Sequence, residues 1–266
     1  MSNVHLVIAY DGTRYVGWQR QANGISIQEK VERGIQLVTG ELATVHGAGR
    51  TDSGVHALAQ SAHVRLTSGP PAHVLDKALN TILPPDIRVL AAREVPDDFH
   101  ARFSARGKRY CYRFRTGAVA PPIGRAYFHW CSRTKLDVAA MRLAAAHVRG
   151  RQDFAAFKTR ARHERESSTT RTVQSIHVRV ATGGVDLAVQ GDGFLYNMVR
   201  TMAGTLLEVG RGKRSPDWVA DVLASRDRCN AGPTLPPNGL FLLRVLYPTD
   251  GSPVYPADTS LNHQES

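Results

Sequence analysis

The 266-residue sequence has only three cysteines, Cys111, Cys131 and Cys229, far apart and odd in number, with no Cys-x-x-Cys pair. That excludes a disulfide framework and a cysteine-rich zinc site. No apolar run approaches the ~18 residues of a membrane-spanning helix. The start, Met1-Ser2-Asn3-Val4-His5, has neither the basic residues nor the apolar stretch of a secretory signal. The expectation is a reduced, cytoplasmic protein. The phosphate loop Gly-x-x-x-x-Gly-Lys-Ser/Thr is missing. His46, His63 and His100 have no partner at metal-ligand spacing, so no metal site is expected. Acidic residues are also scarce, with 23 Asp and Glu against 34 Lys and Arg, a formal charge of +11. Such a surplus favours a polyanionic partner, nucleic acid first, although an arginine-rich composition alone produces the same number.

What is present is 42% hydrophobic residues, enough for one large or two modest cores. Residues 5–10 read as a strand closed by the turn pair Asp11-Gly12. Ser26-Ile27-Gln28-Glu29 is a capping box, and apolar Ile27, Val31, Ile35 and Val38 continue it to a stop at Gly40, the pattern of an amphipathic helix. Further strands are expected at 60–66, 87–94, 110–115 and 240–246, with a hairpin 173–180/185–189 around Gly183-Gly184. Further helices are expected at 73–81, 137–148 and 193–209, and after Ser215-Pro216-Asp217. Residues 160–171 read as an exposed loop and 248–266 as a disordered tail. Strands and helices mix throughout, which predicts an α+β fold. Asp11-Gly12-x-x-Tyr15 is echoed by Asp192-Gly193-x-x-Tyr196. Either this is chance, since Asp-Gly is a common turn, or it marks two similar halves facing a cleft.

The segment Gly49-Arg50-Thr51-Asp52-Ser53-Gly54-Val55-His56-Ala57 concentrates glycine, one cation and one carboxylate. If extended, Arg50 and Asp52 share a face, and a guanidinium there keeps the carboxylate ionised for attack or base work. By spacing alone, a structural Arg–Asp pair in a tight turn is the commoner outcome. From Tyr110 onward, Tyr110, Tyr112 and Phe114 alternate with Cys111, Arg113 and Arg115. One face is aromatic and the other basic, and the pattern reads Tyr112 and Phe114, like Trp18 and Trp130, as core. His56 reads as a packing or hydrogen-bonding residue. Basic clusters at 102–115, 149–171 and 211–214 suit phosphate contacts or ordinary solvated surface.

That nine-residue segment resembles the signature of the TruA-type tRNA pseudouridine synthases. So do Tyr10-Asp11-Gly12-Thr13-x-Tyr15-x-Gly17-Trp18-Gln19, Phe99-His100-Ala101-Arg102-Phe103-Ser104-Ala105 and Lys108-Arg109-Tyr110-x-Tyr112. Asp153-Phe154-x-x-Phe157, Phe194-Leu195-Tyr196-Asn197-Met198-Val199-Arg200, Ala231-Gly232-Pro233-Thr234 and Gly239-Leu240 continue the likeness, in order, over about residues 4–248. Ser53 stands where the family usually has Ala, and 159–172 has its own sequence. The resemblance implies two similar α/β halves with largely antiparallel, mixed sheets flanked by helices around a central catalytic cleft. It divides the chain into halves 1–105 and 106–248 and a tail 249–266. It implies a homodimer acting on the anticodon stem-loop of tRNA (family positions 38, 39 and 40). Asp52 would be the nucleophile, Arg50 would push the base out and hold its place, Tyr110 would stack on the uracil, Arg200 would pair with Asp52, and Leu240 would join the substrate-binding residues. The isomerisation breaks N1–C1′ and makes C5–C1′ without redox or added atoms, so no cofactor or metal is required. Attack of Asp52 at C6, attack at C1′ and promotion of glycosidic cleavage all remain open. A non-catalytic RNA binder of the same fold, or an aspartyl enzyme acting on phosphate, are the competing classes.

Overall fold

The computed structural model describes residues 1–133, 135–159 and 168–248. Most of the loop expected at 160–171, and the tail from 249, lie outside these. Among the described residues, ten strands form one mixed sheet flanked by five α-helices.

The first six elements are β1 (Ser2–Tyr10), α1 (Ile27–Thr39), β2 (His46–Gly47), β3 (His56–Leu66), α2 (Ala72–Ile82) and β4 (Ile87–Val95). They pair in the order β4-β1-β3-β2, antiparallel throughout. Next come β5 (Gly107–Gly117), β6 (His129–Ser132), α3 (Val138–His147), β7 (Gly150–Asp153), β8 (Thr170–Ala181), β9 (Gly184–Gly191), α4 (Met198–Gly210), α5 (Trp218–Ser225) and β10 (Leu240–Leu246). Of these, β5, β8, β9 and β10 lie in the order β10-β5-β9-β8. Each set is therefore a β-α-β-β-α-β unit with the same strand order. The units fuse where β10 pairs in parallel with β3 (Phe241 with His56, Leu242 with Ala57) and antiparallel with β5.

This repeat is not the one the Asp-Gly echo suggests. Asp11 follows β1, the first strand of its unit, whereas Asp192 follows β9, the third of its own. The Asp11 carboxylate caps the adjacent Thr13 N–H, whereas Asp192 accepts from Thr172 on the neighbouring strand. The two aspartates hold unrelated turns.

Local chemistry explains the element ends. Ser26 accepts from the Glu29 N–H, and Gly40 closes α1 with φ +77°. Asp137 caps α3 through the Ala140 N–H. Helix α4 begins five residues later than the periodicity predicts, because Asn197 adopts φ +60° and breaks the helical path. The apolar Phe194 and Leu195 before it extend the hydrophobic pattern without extending the helix. Strand β3 begins four residues earlier than expected, where it meets β10.

One face of the sheet carries the main core. Val4, Leu6, Ile8 and Tyr10 of β1 pack with Ile27, Val31 and Ile35 of α1 and with Leu75 and Leu79 of α2. Tyr112 and Phe114 of β5 pack in the same cluster as Met198, Met202 and Leu206 of α4. Each such buried side chain contributes roughly 1.5–3 kcal/mol. Trp18, Tyr112 and Phe114 are fully buried, and Trp130 lies half-buried against Gly117. On the opposite face Cys111, Phe241 and Leu243 form a small separate cluster, with the Arg113 guanidinium 4.3 Å from the Phe241 ring centre.

Candidate active site

The loop between β2 and β3 carries Asp52, and the first sequence motif forms its bed. The Trp18 N–H donates to the Thr51 carbonyl at 3.1 Å, and the Tyr10 and Thr51 hydroxyls meet at 2.7 Å. The Tyr15 carbonyl accepts from the Gly54 N–H and the Ser53 hydroxyl. The loop turns back on itself through Val55 N–H to Asp52 C=O at 3.1 Å, with Gly54 at φ +77°. Two glycines are required by close approach. A Cβ on Gly12 would lie 2.0 Å from the Val55 carbonyl oxygen, and one on Gly17, at φ +104°, 2.4 Å from the Thr51 oxygen.

The guanidinium that reaches Asp52 comes from the other unit. Arg200, on the first turn of α4, places Nη1 3.6 Å from Asp52 Oδ2. It is aimed from two sides, with Nε donating to the Leu235 carbonyl at 2.7 Å and Nη1 to Asn197 Oδ1 at 2.8 Å. The segment Ala231-Gly232-Pro233-Thr234 holds α4 in place. A Cβ on Gly204 would lie 1.8 Å from the Pro233 oxygen, so the helix and this segment touch backbone to backbone. The Thr201 and Thr234 hydroxyls meet at 3.0 Å, and the Gly232 N–H donates to the Thr205 hydroxyl.

Side-chain exposure is 29% for Asp52 and 15% for Arg200, so the pair is partly buried yet open to solvent. Burial raises the Asp52 pKa above the ordinary carboxylate value, and the Arg200 charge opposes that rise without cancelling it. Arg50, two residues away, is exposed and makes no ion pair among the described residues. Residues 50–52 belong to no strand, and the turn at Ser53-Gly54 follows them.

Tyr110 is buried on β5, with its ring edge-on to Phe194 at 5.2 Å. Its hydroxyl makes no hydrogen bond among the described residues. Burial raises its pKa, with the nearby Tyr10 and the Asp52 charge adding to the effect. Leu240 is buried at the start of β10 opposite Tyr112. The adjacent Gly239 lies on the Tyr112 ring, and the Tyr112 hydroxyl donates to the Pro236 carbonyl. The structure thus brings Asp52 and Arg200 into contact, puts Tyr110 within electrostatic reach of Asp52, and leaves Arg50 exposed.

The other motif residues serve the scaffold. His56 Nδ1 accepts from the Gly12 N–H, its Nε2 lies 3.0 Å from the Ala126 carbonyl, and its ring stacks on Phe241 at 4.7 Å. Phe154 and Phe157 are core. The 99–105 segment is a strap, with Phe99 packed against His5 and Tyr247, and the Tyr247 hydroxyl donating to the Ala101 carbonyl. Sequence reading missed a cluster of histidine rings, in which His63 lies 5.1 Å from His46 and 4.5 Å from His100. Their spacing in sequence carries no sign of it. Burial lowers the His63 pKa to about 4, with His100 and His46 adding to the effect. Among the described residues no group of three or more His, Cys, Asp or Glu could hold a metal ion. No helix of the described residues is long and apolar enough to cross a membrane.

The basic clusters fare unequally. Arg211 and Lys213 both pair with Glu208, and Arg115 pairs with Asp186, so these charges are partly spent within the protein. Arg102 lies on the strap and Arg106 just after it, and Lys108 and Arg109 open β5.

Comparison with known proteins gives a consistent result. A family model described as tRNA pseudouridine synthase matches residues 6–104 and 144–248. The tRNA pseudouridine synthase A of Myxococcus xanthus is 46% identical over 254 residues, 95% of this chain and 94% of the relative. That of Thermoanaerobacter sp. (strain X514) is 44% identical over 247 residues, 93% of this chain and 100% of the relative. That of Syntrophotalea carbinolica is 46% identical over 247 residues, 93% of this chain and 97% of the relative.

Proposed function

Since the chain belongs to the tRNA pseudouridine synthase family, and is thus an isomerase acting on tRNA uridine, we propose that Asp52 is its nucleophile and that the anticodon stem-loop supplies the uridines. The observation that carries the assignment is the Asp52–Arg200 pair at 3.6 Å, built from two separate units, partly buried, and within electrostatic reach of the Tyr110 ring. Burial raises the Asp52 carboxylate pKa and the guanidinium opposes that rise, favouring the anionic form that a nucleophile requires.

The chemistry assigns the remaining roles. The target base must leave its stack before a carboxylate can reach C6 or C1′. Arg50, exposed on the same loop, pushes the base out and fills the gap it leaves. Tyr110 stacks on the extruded uracil, and Leu240 belongs to the apolar floor. Asp52 then attacks C6 or C1′, or promotes departure of the base to a glycal. The N1–C1′ bond breaks, the uracil turns within the cleft, C5 bonds to C1′, and the C5 proton is lost while N1 gains one. This balance requires neither redox nor added atoms, and so no cofactor or metal. The halves 1–105 and 106–248 act as the two walls. The enzyme works in the cytoplasm as a homodimer.

Tritium release from tRNA carrying 5-tritiated uridine tests the reading. Release from the anticodon arm without added cofactor is the expected result. Tight binding of several tRNAs with no release from any would replace it with a non-catalytic tRNA binder, and a single protomer mass in light scattering would remove the dimer.

A further inference from the structure

Among the described residues, the Lys108 ammonium makes no hydrogen bond or ion pair. Lys108 stands on β5 two residues before Tyr110, and the two-residue period of a strand puts both side chains on one face. Its cross-strand neighbours are Val245 and Gly191, neither of them charged. The side chain is half-buried, and its tip lies against Gly49 of the Asp52 loop. A Cβ built on Gly49 would be 2.9 Å from Lys108 Cε and 3.0 Å from Nζ. The Gly49 carbonyl accepts from Gln60 Nε2 at 2.9 Å, and no hydrogen bond runs to it from the ammonium. The one charge acting on the ammonium is another cation, Arg102. Nor does Lys108 serve Asp52, whose counter-charge is Arg200.

A half-buried ammonium without an anion is costly unless a ligand supplies one. Burial accordingly lowers its pKa, with Arg102 adding to the effect. The partner that enters this cleft carries one phosphate per nucleotide. Resting on the reading that the cleft takes an extruded uridine, we propose that Lys108 binds a backbone phosphate flanking that uridine and so fixes the nucleotide over Tyr110. Gly49 then has a reason to lack a side chain, since a Cβ there would push the ammonium away from its place. Lys108 is a binding and positioning residue that takes no part in bond making.

A cycle that crosses protein and substrate changes tests this. The substrates are tRNAs carrying 5-tritiated uridine, with the phosphate 5′ or 3′ to it either native or replaced by an uncharged methylphosphonate. Both kcat/KM for tritium release and the equilibrium Kd are measured for wild type, Lys108→Met and Lys108→Arg. The expected result is a loss of about tenfold in wild-type affinity at one of the two linkages, the size of one charge-assisted contact. Lys108→Met should lose about as much on native tRNA and nothing further on the methylphosphonate, with its salt slope reduced by roughly one contact. Lys108→Arg should recover most of the affinity. Losses that multiply, or equal affinity of Lys108→Met and wild type for native tRNA, would overturn the proposal. If Lys108→Met does not fold, the wild-type arm still decides, because indifference to both neutral linkages refutes it. Absence of tritium release by wild type from native tRNA would instead refute the underlying functional reading, and the Kd arm would still report on Lys108.

Discussion

Removing Arg200 should move the acid limb of the pH–rate profile to higher pH. At 3.6 Å and an effective dielectric constant near 20, two unit charges attract by about 4–5 kcal/mol. Solvent reaches both ends of this pair, so a fraction of that survives, and a neighbouring guanidinium typically lowers a carboxylate pKa by about 1–3 units. Asp52 already sits above the ordinary carboxylate value because burial outweighs Arg200. With the guanidinium gone, only the raising influence remains. The reactive anion is then lost as pH falls through a midpoint higher than in wild type. Single-turnover tritium release from pH 4.5 to 8.5 reads this directly. Arg200→Met also breaks the contacts to Leu235 and Asn197, so Arg200→Lys is needed beside it. Lysine keeps the charge but loses the planar fork. Its acid limb should return toward wild type even where its maximal rate does not. An acid limb at the same pH in all three proteins would refute the electrostatic reasoning, whatever the loss of rate.

The close backbone contacts predict that Gly17→Ala costs more than about 2 kcal/mol of unfolding free energy in denaturant melts and lowers kcat, because a Cβ there meets the Thr51 oxygen at 2.4 Å and φ is +104°. Gly40→Ala, at φ +77° with nothing within 4 Å, is the control and should lose only the left-handed penalty of about 1–2 kcal/mol with kcat intact; equal losses in both variants would show that the contact with the Asp52 loop is not under strain. Burial holds His5 at about 3, with Arg93 and His63 adding, and His63 at about 4. Both are neutral in the fold and charged in the unfolded chain below its ordinary value near 6.5. Their contribution is therefore fully present above about pH 6.5 and is lost as pH falls toward 4, by about 2–4 kcal/mol in unfolding free energy. A stability unchanged between pH 7 and 4.5 would contradict this.

Sequence patterns located the elements whose ends are set locally. Ser26 and Gly40 bound α1 because one caps three residues on and the other supplies a left-handed turn, and both signals lie within the helix's own neighbourhood. Asn197 shows the opposite case, since its left-handed backbone is imposed by the turn that aims Arg200 and leaves no mark in hydrophobic periodicity. The early start of β3 depends on β10, far along the chain, and could not be read locally. The site divides in the same way. Spacing alone favoured a structural pair at Asp52; the family resemblance singled it out and named Arg200 as its partner, a contact no local pattern reveals because it joins residues 52 and 200 through the fusion of two units. Alternation suggested Arg50 as a neighbour, but Arg50 is exposed and the guanidinium 3.6 Å from Asp52 is that of Arg200. The histidine cluster and the unpartnered Lys108 were illegible for the same reason, since each depends on strands or loops distant in sequence.

Asp52→Asn tests the account most directly. The change keeps shape and removes the charge, so the variant is first checked for wild-type thermal unfolding and tRNA affinity. Tritium release from 5-tritiated uridine in tRNA is then followed under single-turnover conditions. The account predicts that a folded, tRNA-binding Asp52→Asn protein releases no tritium above background. Release at the wild-type rate would contradict it and remove Asp52 from the chemistry.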